Sequence, residues 1–413
     1  MSVHAEQLIT NTRAASRGVS KYKTLLIAGI ILTVIQQMPI IRDRFYGEIR
    51  LALYLIFALV SVKALASLSL QKLPRLMKLF MGVIVLLTLE LLVFQLLNWR
   101  SSIFELTELL IPFGIMISAY SLDFEKKEID SLTLVYAVLA VLMGVSLVLF
   151  YGGGFVLREQ YIAGTSKNQT GPIIGVAFLI VLDRMLAINI RRNYDSLLLV
   201  WFGLLLSGAI ASLIVLRNRA GLVSVFIVSA LMLLIRFRKR PTLIAILIST
   251  VMAFFLFLLV ILGAINPLAD LVVKAFTLNR SLGDLDSLSS GRMSVYIEGI
   301  NYLTHNPVFG ELAASEPFYD IPHNYVLNKM VEFGLVGSIP FLVLYAYLVM
   351  SVIRQLLSRR ARRESYIIAF QLILFSLIVS LFEYTPPYGP GVSQVMVWFM
   401  LGRFIRNKKG AGR

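Results

Sequence analysis

The sequence predicts an all-α polytopic membrane protein with about twelve transmembrane helices, and three observations support this prediction. Of the 413 residues, 58% are apolar and only 15% are charged, whereas soluble domains are usually about 45–50% apolar and about 25% charged. The mean hydropathy is +0.81. The apolar residues fall in blocks of about 20, the length that a helix needs to cross a bilayer. The composition therefore excludes a soluble globule and a disordered chain.

Twelve apolar runs are long enough, or nearly long enough, to be membrane spans. The run 220–235 is short, but no other assignment fits the loops on either side of it. The predicted spans are 24–41, 49–70, 76–97, 103–120, 131–150, 171–189, 196–216, 220–235, 241–263, 335–353, 366–382 and 391–406.

The distribution of basic residues orients these spans. If the N-terminus is inside, 27 of the 39 lysines and arginines fall in inner segments. This bias follows the positive-inside rule and predicts that both termini are cytoplasmic. Because topology accounts for most of the net charge of +16, no nucleic-acid partner is expected.

The predicted spans divide the chain into three parts. Residues 1–263 contain the first nine spans, residues 264–334 form a long external loop, and residues 335–413 contain the last three spans and a basic cytoplasmic tail. The loop carries eight acidic and only four basic residues. A long, partly helical loop among short connections is where function is expected.

The residue inventory argues against a metal or a cofactor. Cysteine is absent, and the three histidines, His4, His305 and His323, include no pair with metal-ligand spacing. The sequence also has no glycine-rich nucleotide-binding motif. Energy for any reaction is therefore expected from the substrate itself or from an ion gradient.

Two arginines lie at the outer membrane boundary between the seventh and eighth spans. Arg217 and Arg219 occur in the segment Leu216-Arg217-Asn218-Arg219-Ala220-Gly221. A guanidinium matches the geometry of a phosphate and keeps its charge, so these side chains are candidates for anion binding. The alternative is ordinary snorkelling into lipid phosphates.

The external loop contains a predicted amphipathic helix that begins after Ser289-Ser290-Gly291 and stops near Asn306-Pro307. Its apolar positions share one face: Met293, Tyr296, Ile297, Ile300 and Leu303. We expect serine to cap this helix. Arg292 then lies in the first turn, where the helix dipole disfavours a cation. It is either an anion-binding residue or a surface arginine.

His323 is the candidate general base. It occurs in Asp320-Ile321-Pro322-His323-Asn324-Tyr325, ahead of an apolar helical pattern. Proline suits the first turn of a helix, so we expect His323 near a helix N-terminus, where the local field favours a neutral imidazole that can accept a proton. The alternative is a hydrogen-bonded loop histidine.

Lys167 and Asn168 lie in a turn-rich external segment, 164–171. This segment either contributes side chains that bind the substrate or is only a loop that connects two spans.

Carboxylates within or near spans are functional candidates because their burial in lipid is costly. These are Glu90, Glu105, Glu108, Asp183 and Glu383.

Three motifs, in order, resemble the O-antigen ligase/polymerase superfamily. They are Asn-Arg-Ala-Gly at 218–221, Gly-Arg-x5-Glu-Gly at 291–299, and Pro322-His323-Asn324 followed by Glu-Phe-Gly-Leu-Val-Gly at 332–337. The last two fall in the loop between the ninth and tenth spans. The motifs cover about 164–341, and outside that range the similarity is one of hydropathy.

The resemblance implies a metal-independent glycosyltransferase on the outer face of the bacterial inner membrane, with an undecaprenyl-diphosphate-linked oligosaccharide as donor and a glycan as acceptor. It assigns phosphate binding to Arg219 and Arg292, with Arg217 less firmly placed, and catalysis to His323. Lys167, Asn168 and Asn324 are candidate substrate-binding residues.

The Ser-Lys-Asn-Gln-x-Gly segment at 166–171 looks more like the polymerases of this superfamily, which join repeat units, than like its ligases, which transfer the glycan to lipid A-core. The short gap between Arg292 and His323 also departs from some of those ligases. The alternative from another class is a polytopic transporter. Such proteins usually have related halves and a substrate site at the midplane, whereas these motifs gather on one outer face.

Overall fold

The computed structural model describes residues 21–69, 71, 73–97, 106–157, 167–188, 193–216, 218–237, 291–314, 316–357, 367–384, 386–388 and 394–410. Within these ranges the chain consists of helices and turns and contains no strand. The α-helices are α1 (21–35), α2 (Pro39–Ala66), α3 (Arg75–Leu96), α4 (Thr107–Ser121), α5 (Lys126–Leu157), α6 (Lys167–Ala187), α7 (Asn193–Val215), α8 (Arg219–Phe237), α9 (Arg292–His305), α10 (Tyr325–Gly337), α11 (Ile339–Leu357), α12 (Ile367–Val379) and α13 (Val395–Gly410).

Seven helices in the described ranges are long and apolar enough to cross a membrane. They correspond to the second, third, fifth, sixth, seventh, eighth and tenth predicted spans. The fourth and eleventh appear as the shorter apolar helices Thr107–Ser121 and Ile368–Val379. The predicted ninth span, 241–263, lies outside the described residues. The polytopic helical fold is thus confirmed, while the count of twelve stays a prediction.

The first two predicted spans are divided differently from the expectation. The prediction separated 24–41 from 49–70, but α1 ends at residue 35 and α2 begins at Pro39, where proline suits the first helical turn. The charged residues 42–48, interpreted as a connection, are helical, with a kink at Phe45. Hydropathy marks where apolar sequence ends, whereas a helix continues into water as long as its backbone hydrogen bonds persist.

Two basic residues of α13 end α4. Arg403 donates from Nη1 to the Ala119 and Leu122 carbonyls at 3.2 and 2.9 Å and is only 3% exposed. Arg406 donates to the Tyr120 carbonyl at 3.0 Å. The last carbonyls of a helix have no partner within it, and arginine satisfies them while opposing the negative end of the dipole. These arginines therefore join α4 to α13.

The same two helices pack with little space between them. A Cβ atom at Gly402 of α13 would overlap the Met116 carbonyl of α4. Beside this contact lies an aromatic cluster in which the Trp398 ring meets Phe80 edge-on at 5.2 Å and stacks on Tyr388 at 5.8 Å. Trp398 also donates from Nε1 to the Pro387 carbonyl at 3.0 Å. This cluster supports the segment after α12, where the candidate site lies.

Candidate functional site

A buried carboxylate, Glu383, joins two residues that the sequence proposed separately. Its Oε1 lies 3.0 Å from Nη2 of Arg292, and its Oε2 lies 3.3 Å from Nδ1 of His323. The Glu383 side chain is 2% exposed, compared with 24% for Arg292 and 33% for His323. A buried carboxylate is costly unless it is paired, so this geometry holds both partners while leaving each accessible.

Arg292 is the first residue of α9, as predicted. In addition to Glu383, it donates from Nη1 to the Phe382 carbonyl at 2.5 Å. The expected serine cap is wrong, because the N-cap residue is Gly291, with φ +77° and no side-chain capping bond. A left-handed residue favours glycine, and this conformation turns the chain directly into Arg292.

The predicted extent of α9 is confirmed, since it ends at His305 with Asn306 as C-cap. The apolar stripe, however, does not form its main packing face. Met293, Ile297 and Ile300 are 45–55% exposed, whereas Gly299 and Leu303 are buried. Gly299 lies close to Val331 of α10. The periodicity predicted the helix correctly, but packing against α10 determines which face of α9 is buried.

Tyr296 holds the backbone of His323. It lies one turn after Arg292, and its hydroxyl donates to the His323 carbonyl at 2.7 Å. Burial raises the pKa of Tyr296; Arg292 opposes this effect and Glu383 adds to it. The phenol therefore stays protonated and keeps its role as donor. Sequence reasoning treated Tyr296 only as an apolar position.

His323 precedes α10 rather than lying within its first turn. The helix begins at Tyr325, and Asn324 is the N-cap, accepting from the Leu327 N–H at 3.0 Å. Pro322 accordingly lies outside the helix, contrary to the expectation. The helix begins after Asn324 because the Asn324 side chain accepts a hydrogen bond from a backbone N–H of the first turn that would otherwise have no partner. The prediction of His323 near a helix N-terminus holds.

Asn324 also connects this segment to the residues after α12. Its Nδ2 donates to the Leu381 carbonyl at 3.2 Å, and the Tyr325 N–H donates to the Ser380 carbonyl at 2.9 Å. Both ends of the Asn324 amide are thus used inside the protein. The side chain of this candidate substrate-binding residue thus joins the start of α10 to the segment after α12, next to His323.

A second connection fixes α9 against α10. Gly334 interrupts α10 with φ +71°, and the N–H groups of the next two residues pair with the Pro307 and Val308 carbonyls at 2.8 and 3.0 Å. A Cβ atom at Gly334 would overlap the Val308 carbonyl. The Gly-Leu-Val-Gly sequence therefore binds the segment at the end of α9 to α10. This contact fixes the position of Arg292, on α9, relative to His323, which precedes α10.

Below His323, a lysine is buried between two carboxylates. Lys329 Nζ lies 2.7 Å from Oε2 of Glu108 in α4 and 2.8 Å from Oε2 of Glu332. Its side chain is 5% exposed. The sequence indicates Glu108 only as a carboxylate within or near a span, and in the structure it anchors α10 to α4. Glu105 lies outside the described residues.

Arg219 lies at a different helix end. It is the first residue of α8, and the buried Asn218 before it caps that helix by accepting from the Gly221 N–H at 2.6 Å. A Cβ atom at Gly171 of α6 would overlap Asn218, so α6 and α8 lie close together there. Arg217 and the side chains of Lys167 and Asn168 lie outside what the structure describes.

Glu383 and Tyr384 are the site residues whose roles the sequence did not indicate. The sequence indicates only that Glu383 is an acid near a span and names no residue that it would contact. The Tyr384 ring lies edge-on to His323 with a centroid distance of 6.1 Å. Burial raises the pKa of Tyr384, and Glu383 adds to this effect. Their position directly after an apolar run was the available signal.

In the described part of the chain, no group of three His, Cys, Asp or Glu side chains forms a potential metal site. The positive charge at the site comes from arginine. The arrangement can hold an anion next to a histidine whose second ring nitrogen is free of the contact with Glu383.

Comparison with known proteins adds one finding. Residues 202–342 match the family model described as O-antigen ligase, which confirms the resemblance to the O-antigen ligase/polymerase superfamily. The match runs from α7 to the start of α11 and includes Arg219, Arg292 and His323. No curated protein matches the chain.

Proposed function

We propose that this chain is a glycosyltransferase that polymerises undecaprenyl-diphosphate-linked oligosaccharide repeat units on the outer face of the bacterial inner membrane. The observation that carries the proposal is the contact of Glu383 with both Arg292 and His323. It combines an anion-binding group and a proton acceptor in one place. The family match covers Arg292 and His323 but ends before Glu383, and it supports a membrane glycan enzyme.

The diphosphate of the donor is the anion that fits this site. As the bond between C1 of the donor sugar and the diphosphate breaks, the electron pair leaves with the diphosphate. A guanidinium has five N–H donors, and two groups of Arg292 already contact Phe382 and Glu383. The remaining N–H donors of Arg292 stabilise the developing charge, a role in which fixed cations are most effective.

Arg219 supplies a second cation at the same end of the bundle. Gly175, Val225 and Phe375 lie at one level, because a Cβ atom at Gly175 would meet the other two side chains. The charge pattern predicts that α8 and α12 are antiparallel. At about 1.5 Å per residue, Arg219 then lies about 9 Å from that level towards the external side, and the end of α12 lies about 6 Å from it in the same direction. Both arginines then face the external side, where the diphosphate arrives.

His323 takes the proton of the acceptor hydroxyl. When Nδ1–H donates to Glu383, the lone pair is on Nε2, which accepts the proton as the hydroxyl oxygen attacks C1. Glu383 then stabilises the imidazolium that forms, and the proton is later lost to water. A base oriented by a third, buried group is the arrangement expected for an activated nucleophile.

No metal is needed for this chemistry, since the arginines supply the charge that a divalent cation supplies elsewhere. The lipid tail of the donor lies between helices, and its sugars remain outside. Both termini are then in the cytoplasm and the site is external, as the basic residues predict.

The ligase reaction is the second candidate, and a specific observation favours it: the matching family is described as O-antigen ligase. The two reactions share donor, leaving group and base, and they differ only in the acceptor. The segment 166–171 favours the polymerase.

The decisive experiment incubates the purified full-length protein with one lipid-linked repeat unit, with and without lipid A-core. A ladder of products without lipid A-core supports polymerisation, and transfer that requires lipid A-core indicates a ligase. Glu383→Gln should lower the yield of either product, and Glu298→Gln, a change at an exposed position of α9, is its matched control. Transport of the lipid-linked unit across vesicles without covalent change would overturn the proposal.

A further inference from the structure

A cavity of about 570 Å³ lies at the opposite end of α12 from Glu383. The start of α3, the end of α11, the first turns of α12 and the second half of α13 form it. Its walls are mainly apolar and include Leu348, Val352, Phe370, Ile373 and Phe404. Phe370 precedes the end of α12 by more than two helical turns, so the cavity is separate from the candidate active site.

Two arginines stand at the edge of this cavity. Arg75 is the first residue of α3, and Arg354 lies in the last turn of α11; both line the cavity and both are exposed. Among the described residues that line the cavity, none is acidic. The site therefore combines an apolar interior with an edge that carries two positive charges.

The surface beside the arginines is apolar as well. Met350 and Ile353, on the same helix as Arg354, are 48% and 44% exposed. On a helix long and apolar enough to span a membrane, such side chains face lipid. The cavity edge thus lies where acyl chains meet headgroups, and the positive-inside rule places that edge on the cytoplasmic side.

We propose that this cavity binds an anionic phospholipid of the cytoplasmic leaflet. Arg75 and Arg354 bind its phosphate, and an acyl chain lies along Val352, Phe370 and Phe404. Basic pockets between transmembrane helices on this side of a membrane are suited to anionic headgroups. A volume of about 570 Å³ is within the usual range for a small-molecule site. A soluble anion would leave the apolar wall uncovered, so the lipid is the better fit.

The test is native mass spectrometry of the purified, delipidated full-length protein with added lipid. Phosphatidylglycerol is titrated against phosphatidylcholine with the same acyl chains, and the variants are Arg75→Gln, Arg354→Gln and the double change. Lys78→Gln is the matched control, because Lys78 lies one turn along α3, is exposed and does not line the cavity. Gel filtration checks folding of each variant.

We expect phosphatidylglycerol to be retained in preference to phosphatidylcholine. Each arginine change should weaken the apparent affinity about fivefold, since one basic residue near an anionic lipid contributes roughly that factor. Lys78→Gln should bind like the unchanged protein. Ser351→Leu, which fills the cavity while keeping both arginines, should also reduce retention.

Three results would overturn the proposal. Equal retention of phosphatidylcholine would remove the role of charge, and an equal loss in Lys78→Gln would show general surface attraction. Displacement of the lipid by inorganic phosphate at similar concentration would identify a soluble-anion site. The proposal does not depend on the glycosyltransferase activity, because binding is measured without donor or acceptor.

Discussion

Oε2 of Glu383 lies 3.3 Å from Nδ1 of His323, although the two residues are 60 positions apart in the chain. The carboxylate is buried and the imidazole is one-third exposed, so one side of the ring is fixed by the protein while the ring itself reaches solvent. A ring that is held on one side and accessible on the other differs from that of an ordinary surface histidine and suits a positioned base. The same carboxylate also contacts Arg292.

Removing the base should affect chemistry more than binding. His323→Ala should lower the single-turnover rate about 10²–10⁴-fold, the usual contribution of a general base, with little change in donor affinity. Glu383→Gln should lower the rate less than His323→Ala. A His323→Ala enzyme within a few-fold of the unchanged rate would refute the base assignment.

The arginines should behave differently from the histidine. Arg219→Ala and Arg292→Ala should reduce both donor affinity and rate, because their charge meets the diphosphate before and during bond cleavage. Lysine should restore activity only in part, since an ammonium lacks the planar fork of donors. Binding of a lipid-linked donor and single-turnover rates measure this, with Lys78→Gln as the control. Unchanged donor affinity in both alanine variants would show that the diphosphate does not bind at Arg219 and Arg292.

Chelation should leave activity intact. EDTA removes divalent ions, and the proposed site relies on Arg219 and Arg292 for positive charge. The measurement is product formation before and after dialysis against EDTA. If activity is lost and magnesium or manganese restores it, the external acids Asp284, Asp286 and Asp320 become candidate ligands; of these, only Asp320 lies in the described part of the chain.

Gly334→Ala should destabilise the protein. A left-handed backbone costs a residue with a side chain about 1–3 kcal/mol, and the added Cβ would also overlap the Val308 carbonyl. Thermal unfolding in detergent measures the effect. Gly203→Ala is the matched control, since that glycine is helical and a Cβ there meets nothing within 4 Å. Equal melting temperatures for both variants would contradict the proposed docking of α9 on α10.

Reporter fusions test the orientation. Fusions after Arg240 and Arg363 should report the cytoplasm, and fusions near Asp284 should report the exterior, because 27 of the 39 basic residues fall in segments predicted to be inside. Activity of both a cytoplasmic and an exported reporter at each position distinguishes the two sides. A cytoplasmic signal near Asp284 would place the candidate site on the wrong face for a displayed glycan.

Sequence alone determined the helical membrane fold, the extent of α9 and the residue types suited to phosphate and proton chemistry. These properties follow from local signals: the apolar content of a run measures its transfer into lipid, and periodicity and turn residues mark the helix. The signals weaken at helix ends. This explains why the α1–α2 boundary, the Gly291 cap and the start of α10 differed from the predictions.

Only the tertiary structure decided which of these residues meet. Glu383 contacts Arg292 across 91 positions and His323 across 60, and each distance depends on how α9, α10 and α12 pack. Arg403 looked like one more cytoplasmic charge in the sequence, yet it is buried against the carbonyls that end α4. Hydropathy and charge counts describe each segment against its solvent, whereas pairing between distant segments depends on their shapes and on polar groups left unsatisfied by burial.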